Sequence, residues 1–256
     1  MMLSTMRDNI KRVFQYVSVA AFWLTAWIGV CYFANRTLLL PLPYPWDVTK
    51  ALWNLMGQTA FWSVVGASLL RIVVGFLLAL LVGVILAMLT TRFPMLHALL
   101  SPVLSVVRAA PVASFIFVAF LWIKAEEMPA FIAFLMVVPL VWGNVRQGIL
   151  NTDSHLLEMA RVFRLSRWER LRHIRLPAVR PYLQAAVSTG FGFAWKAGVA
   201  AEILCWPKDS IGYHIAAAKN LVETADVFAW TAGVVVLSVL LEWLLRWLTA
   251  RGEVAK

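Results

Sequence analysis

Two runs of the chain, Val17 to Ala34 and Ile72 to Thr90, hold no charged residue and are long enough to cross a bilayer. A membrane helix needs about 20 apolar residues to span roughly 30 Å of hydrocarbon. Met128 to Val145 is a similar run. Ala98 to Val107 and Ala109 to Ile123 are apolar on either side of Arg108 and read as one broken or re-entrant span. Ala185 to Trp206 is a span carrying Lys196 and Glu202, and Val227 to Leu245 is a last one carrying Glu242. The sequence therefore predicts six spans. Only 14% of its residues are charged, less than a soluble domain of this length keeps on its surface.

The cations test that count. With the N-terminus inside, the inner segments hold Arg7, Lys11, Arg12, Arg92, Arg146, the arginines from Arg161 to Arg180, and Arg246, Arg251 and Lys256, fifteen of the 23 Lys and Arg. The outer segments hold only Arg36, Lys50, Arg71, Lys124, Lys208 and Lys219. Basic residues gather on the cytoplasmic side of membrane proteins, so six spans with both termini cytoplasmic satisfy the rule. The formal net charge of +10 is then the charge of inner loops beside anionic lipid headgroups. It requires no nucleic-acid partner. The first span is long for a signal peptide and lacks a small-x-small cleavage site, so it is expected to remain. Cys31 and Cys205 lie in or beside spans and read as packing residues.

The chain lacks the patterns that carry catalysis. No G-x-x-x-x-G-K-[ST], H-E-x-x-H or G-x-S-x-G occurs. His97, His155, His173 and His214 are too scattered to suggest a metal site. No catalytic residue, metal or cofactor is expected. Work on a solute would draw its energy from a gradient or from a partner.

Residues 146 to 182 form the one long inner loop, and "EMARVFRLSRWERLRHIRLP", Glu158 to Pro177, holds six arginines. Asn151 and Asp153 offer N-cap chemistry. Leu156, Met159, Val162 and Phe163 recur at helical spacing, and Trp168, Leu171 and Ile174 form a second set. The pattern predicts two short amphipathic helices joined near Arg164 to Ser166, with Pro177 ending the second or sitting just past it. Such a segment either lies on anionic lipid or inserts into a partner protein.

The order of residues in the loop resembles the EAA loop of binding-protein-dependent ABC importer permeases, E-A-A, three residues, G, nine residues, I-x-L-P. Glu158, Ala160, Ile174, Leu176 and Pro177 stand on that pattern; Met159 replaces the central alanine and Arg164 stands at the glycine position. Glycine there would permit a turn with positive φ, which costs arginine about 1 kcal/mol or more. Either the turn is rebuilt or Arg164 makes a contact of its own. "GFAWKAGVAAEIL" (Gly192 to Leu204), followed by "SIGYHI" and "DVFAW", is similar to the fifth and sixth spans of the nitrate/sulfonate/taurine branch. "SLLRIVVGFLLALLVGVILAML" (Ser68 to Leu89) is similar to its first core span.

The resemblance implies an all-α polytopic permease whose coupling-helix loop lies between spans 4 and 5. It divides the chain into residues 1–60, a permease domain over 61–250 and a tail over 251–256. It implies two permease copies, two copies of a separate ATP-binding subunit, an extracytoplasmic solute-binding protein and surrounding membrane lipid. The loop would dock in a groove of the ATPase, with Leu171 on its apolar stripe, and transmit ATP-driven closure to the spans.

Lys196 sits near the middle of its span, where a charge costs about 2.5–3.5 kcal/mol on insertion scales. It either lines a path for an anionic solute or pairs within the chain with a carboxylate or a helix-end carbonyl. Glu202 is six residues on, about 240° around a helix, so it is expected to contact another span or the outer mouth. Trp195 flanks the path or packs. Glu242 and Arg246 are spaced as an i, i+4 pair. Gly190, Gly192 and Gly198 suit close helix packing. Ile211 to Leu221 is amphipathic and lies near the outer mouth. A membrane anchor that recruits a cytosolic protein through the same basic loop is the rival reading, but an anchor has no need of a polar fifth span.

Overall fold

The structure, a computed structural model, describes residues 2–37 and 42–254, with side chains for 14–37, 42–245 and 247. Its regular elements are all helical among these residues. In chain order they are α1 (Met2–Thr37), α2 (Pro45–Met56), α3 (Thr59–Arg92), α4 (Pro94–Ala109), α5 (Val112–Ala119) and α6 (Met128–Leu150). There follow α7 (Ser154–Val162), α8 (Arg167–Arg170), a π turn (Leu171–Arg175), α9 (Leu176–Cys205), α10 (Ile211–Asn220) and α11 (Thr224–Val254).

Among the described residues four segments are long and apolar enough to cross a membrane: Phe14–Thr37, Thr59–Arg92, Met128–Leu150 and Thr224–Leu245. Helices α4 and α5 make a fifth if they are one span, bent by 105°. The bend falls where the sequence predicts a broken span, and Pro111 is its cause. A residue before proline is pushed out of the helical region, and Ala110 is extended, with ψ 144°. Arg108 stays inside α4. All of the expected span from Ala185 to Trp206 but its last residue lies within α9, whose 30 residues are about 45 Å long; Trp206 is the left-handed C-cap. Its charges and its small polar residues keep it out of the group that qualifies on length and apolarity, so apolarity alone does not reach six.

The chain divides into two compact units. One comprises Met1–Phe61 and His214–Gly233. Its aromatic contacts include Phe61 with Trp230, ring centroids 5.0 Å apart, and the stacked pair His214 and Trp230 at 4.8 Å. The Asn35 amide fixes the chain after α1, accepting from the Leu42 N–H at 2.6 Å and donating to the Leu42 carbonyl. Cys31 is buried there as a free thiol.

The other unit comprises Trp62–Tyr213 and Val234–Lys256. Helices α6 and α9 pack along each other at its centre. In hydrocarbon there is no hydrophobic drive to join apolar helices, so close approach and buried hydrogen bonds must do it. Gly75 of α3 meets the backbone of Ala130 in α6, where any Cβ would strike the Ala130 carbonyl. Gly198 of α9 meets Ile72 of α3, and Gly190 meets Val137 and Phe76, as packing glycines should. The Trp142 indole donates to Thr90 Oγ1 at 2.8 Å, and Arg108 donates to the Pro139 carbonyl. Ile116, Met128, Ile132, Ala201 and Cys205 close a buried cluster among α5, α6 and α9. Gly192 lies beside the Glu242 carboxylate; the Arg246 side chain lies outside the described residues, and so does the expected pair.

Candidate functional site

The loop between α6 and α9 folds by its caps. Asp153 is the N-cap of α7, its carboxylate accepting from the His155 N–H at 2.8 Å. At the other end the Leu165 N–H reaches back to the Ala160 carbonyl at 2.9 Å and the Arg164 N–H to that of Arg161 at 3.0 Å. These two bonds define a Schellman stop, in which the intervening residue is left-handed. Arg164 has φ 51°, so the turn that favours glycine is kept and not rebuilt. Its side chain is exposed and makes no hydrogen bond or ion pair among the described residues.

Ser166 then starts α8 with a capping box: Glu169 Oε2 accepts from the Ser166 N–H at 2.7 Å, and Ser166 Oγ accepts from the Glu169 N–H at 3.2 Å. The Ser166 N–H, and next its hydroxyl, hold the Glu169 carboxyl below its ordinary range. The sequence signal S-x-x-E was present and went unread. Pro177 does not end the second helix. The π turn lets the Leu176 N–H bond the Leu171 carbonyl, and Pro177 falls in the first turn of α9, where a missing N–H costs nothing. One helical path thus runs from Arg167 through the π turn into α9.

Ala160 and Ile174 are buried, so they hold the segment together and offer no outer surface. Glu158, Leu171, Leu176 and Pro177 are exposed. So are large apolar side chains: Val162 at 79%, Phe163 at 71% and Trp168 at 66%. Glu158 has no ionic partner among the described residues.

In α9 the three polar or aromatic candidates point apart. Trp195 is 1% exposed, and its indole donates to the Val234 carbonyl of α11 at 3.3 Å. Lys196 is exposed and has no hydrogen bond or ion pair among the described residues. Glu202 is buried and contacts another span, as its helical phase predicts. Its Oε2 accepts from Ser68 Oγ at 3.0 Å and from the Gly212 N–H at 3.2 Å. Ser68 Oγ in turn accepts from the Ile211 N–H at 3.0 Å. Arg71 lies 3.9 Å from Glu202 Oε1 and donates to the carbonyls of Asp209 and Lys208. The carboxylate therefore faces the free N–H groups that open α10, where a negative charge is favoured. Gly212 sits so close to Glu202 that no Cβ would fit. Ser68 and Arg71 were not legible as partners, because they stand over a hundred residues away from Glu202. Among the described residues no three His, Cys, Asp or Glu gather as a metal site.

A family profile described as "Binding-protein-dependent transport system inner membrane component" matches residues 79–253. The chain is 28% identical over 220 residues to the nitrate import permease protein NrtB of Leptolyngbya laminosa, covering 81% of this chain and 77% of that one. It is 25% identical over 249 residues to the taurine transport system permease protein TauC of Escherichia coli, covering 94% and 89%. In fold it is similar to a subunit of a bacterial ABC transporter involved in the import of the acidic polysaccharide alginate, with TM-score 0.61 and 15% identity, covering 96% and 98%.

Proposed function

The chain belongs to the family of binding-protein-dependent transport system inner membrane components, and from that premise we propose how its residues serve an importer. As an ABC importer permease it is a membrane component and not the catalytic one; ATP hydrolysis resides in a separate subunit. In our reading residues 61–250 form the permease domain with the loop 146–182, α9 supplies the sixth span, and both termini are cytoplasmic. Two copies pair, each bound to one of two ATPase subunits, and an extracytoplasmic binding protein delivers the solute.

The observation that carries the coupling role is the unpartnered apolar rim of α7 and α8, Val162, Phe163 and Trp168, mounted on a segment that is internally capped and anchored by buried Ala160 and Ile174. A groove of the ATPase would cover that rim, with Glu158 setting register at its edge. Lys196, exposed and without a partner among the described residues, would face the path shared with the second copy. The relatives are named for nitrate and taurine, both small solutes that bear an oxyanion, and an ammonium group is suited to such a solute. Trp195 and Glu202 would then act from behind the path, by fixing α9 against α11 and α3.

The test uses Glu158→Lys and Leu171→Asp in the assembled complex. Each should reduce transport and solute-stimulated ATP hydrolysis while the permease still inserts. Normal transport with both changes present would remove the loop from the coupling path.

A further inference from the structure

The loop also closes a cavity of about 500 Å³ whose walls carry five arginines. Arg92 comes from the end of α3, Arg161 from α7, Arg167 and Arg170 from α8, and Arg175 from the π turn. No acidic residue lines it. Among the described residues none of the five guanidinium groups has an ion pair or a hydrogen-bonded acceptor, and the Nε of Arg170 is buried without one. Five like charges around one half-open space give it a strongly positive potential, which favours an anion there.

A second cavity, of about 550 Å³, adjoins the first and shares Arg92, Leu157, Leu171 and Arg175 with it. The rest of its wall is mostly apolar: Val84 and Met88 of α3, Val145 and Ile149 of α6, Val179 and Leu183 of α9. Val84 stands eight residues before Arg92, so this crevice runs about 12 Å up the membrane helix from the arginines. A cationic chamber continuous with an apolar crevice has the polarity of an amphiphile.

We propose that the two cavities form one binding site for an anionic glycerophospholipid, with its phosphate among the arginines and an acyl chain between α3, α6 and α9. The proposal rests on the reading that this loop lies at the inner membrane face. Basic pockets at the cytoplasmic ends of membrane helices bind such headgroups, and guanidinium groups bind phosphate in bidentate fashion. A free phosphate would leave the apolar half unused. An acidic segment of a soluble partner could enter the arginine chamber but would not reach Val84. A bound lipid would tie the end of α3 to α7 and α8, which makes the headgroup part of the support on which the coupling segment rests.

The experiment is photolabelling of the permease in nanodiscs, alone and in complex with its ATPase subunit. The probes are phosphatidylglycerol and phosphatidylcholine, each with a diazirine on the acyl chain. Phosphatidylglycerol should label peptides that contain Val84–Thr91 and Leu176–Leu183, and phosphatidylcholine should not. Arg170→Gln with Arg175→Gln should lower that labelling about twenty-five-fold, from roughly fivefold per basic residue. The paired lysine substitutions keep the charge and should retain most of it. Equal labelling by the two lipids, or unchanged labelling of the glutamine variant, would overturn the proposal. Loss of labelling on adding inorganic phosphate would reassign the chamber to a free anion. Loss on adding the ATPase subunit would reassign it to a protein contact. Labelling is read on the permease itself, so an ATPase that fails to associate counts against the coupling reading alone.

Discussion

Arg164 occupies a left-handed backbone position that costs a side-chain-bearing residue roughly 1–2 kcal/mol, and its side chain makes no hydrogen bond or ion pair among the described residues to compensate for it. Glycine removes the strain but adds entropy to the unfolded chain. Arg164→Gly should therefore stabilise the loop by about 0.5–1 kcal/mol, and Arg164→Val should destabilise it, as read by hydrogen exchange of α7 amides. Lys196 separates two roles under substitution. Because no described residue gives it a carboxylate partner, Lys196→Met should leave assembly and thermal stability unchanged and weaken transport affinity for an anionic solute about tenfold or more. Unchanged affinity would remove it from the path. Glu202 should behave in the opposite way. Glu202→Ala strips acceptors from Ser68 and Gly212 and leaves Arg71 without its counter-charge, at a cost of roughly 3 kcal/mol, visible as a lower unfolding temperature.

At the scale of the element, α7, α8 and the π turn show what local sequence can and cannot specify. The two short helices and their join near Arg164 to Ser166 follow from the two sets of apolar residues on either side of it. The fate of Pro177 was not legible. Proline signals a missing donor, but only the π turn ahead of it decides whether that donor is needed. Glu202 illustrates the same limit across distance: its helical phase showed that it must leave the Lys196 face, yet its partners on α3 and α10 are set by tertiary packing. The Ser166–Glu169 box adds a pH dependence. The Glu169 carboxyl is held below its ordinary range, so the box contributes fully at neutral pH and is lost as pH falls through that lowered value. Protection factors of the α8 amides, corrected for the intrinsic pH dependence of exchange, should fall over that acidic interval and stay level on the alkaline side.

At the scale of the whole molecule, the apolar runs revealed a polytopic helical protein, and four of the expected spans need nothing beyond length and composition. The bent pair at Pro111 and the polar helix α9 are where that signal weakens, because a break in the helix and the buried or mid-span charges of α9 both lower the apolarity of a continuous run. Reporter fusions test the six-span arrangement. Those after Asn151 and Lys256 should read cytoplasmic, and one near Lys208 extracytoplasmic; agreement between the first and the last would break it. The central claim is that α7 and α8 deliver ATPase motion to the permease, and one cross-linking measurement addresses it most directly. Both native cysteines are buried, so a cysteine at an exposed position reports with little background. With a thiol-to-amine cross-linker, Val162→Cys should join the permease to its ATPase subunit in membranes, with a yield that changes on ATP binding, and Trp53→Cys should not. A Val162→Cys permease that transports normally yet never cross-links to the ATPase, or cross-links no better than Trp53→Cys, would contradict the account.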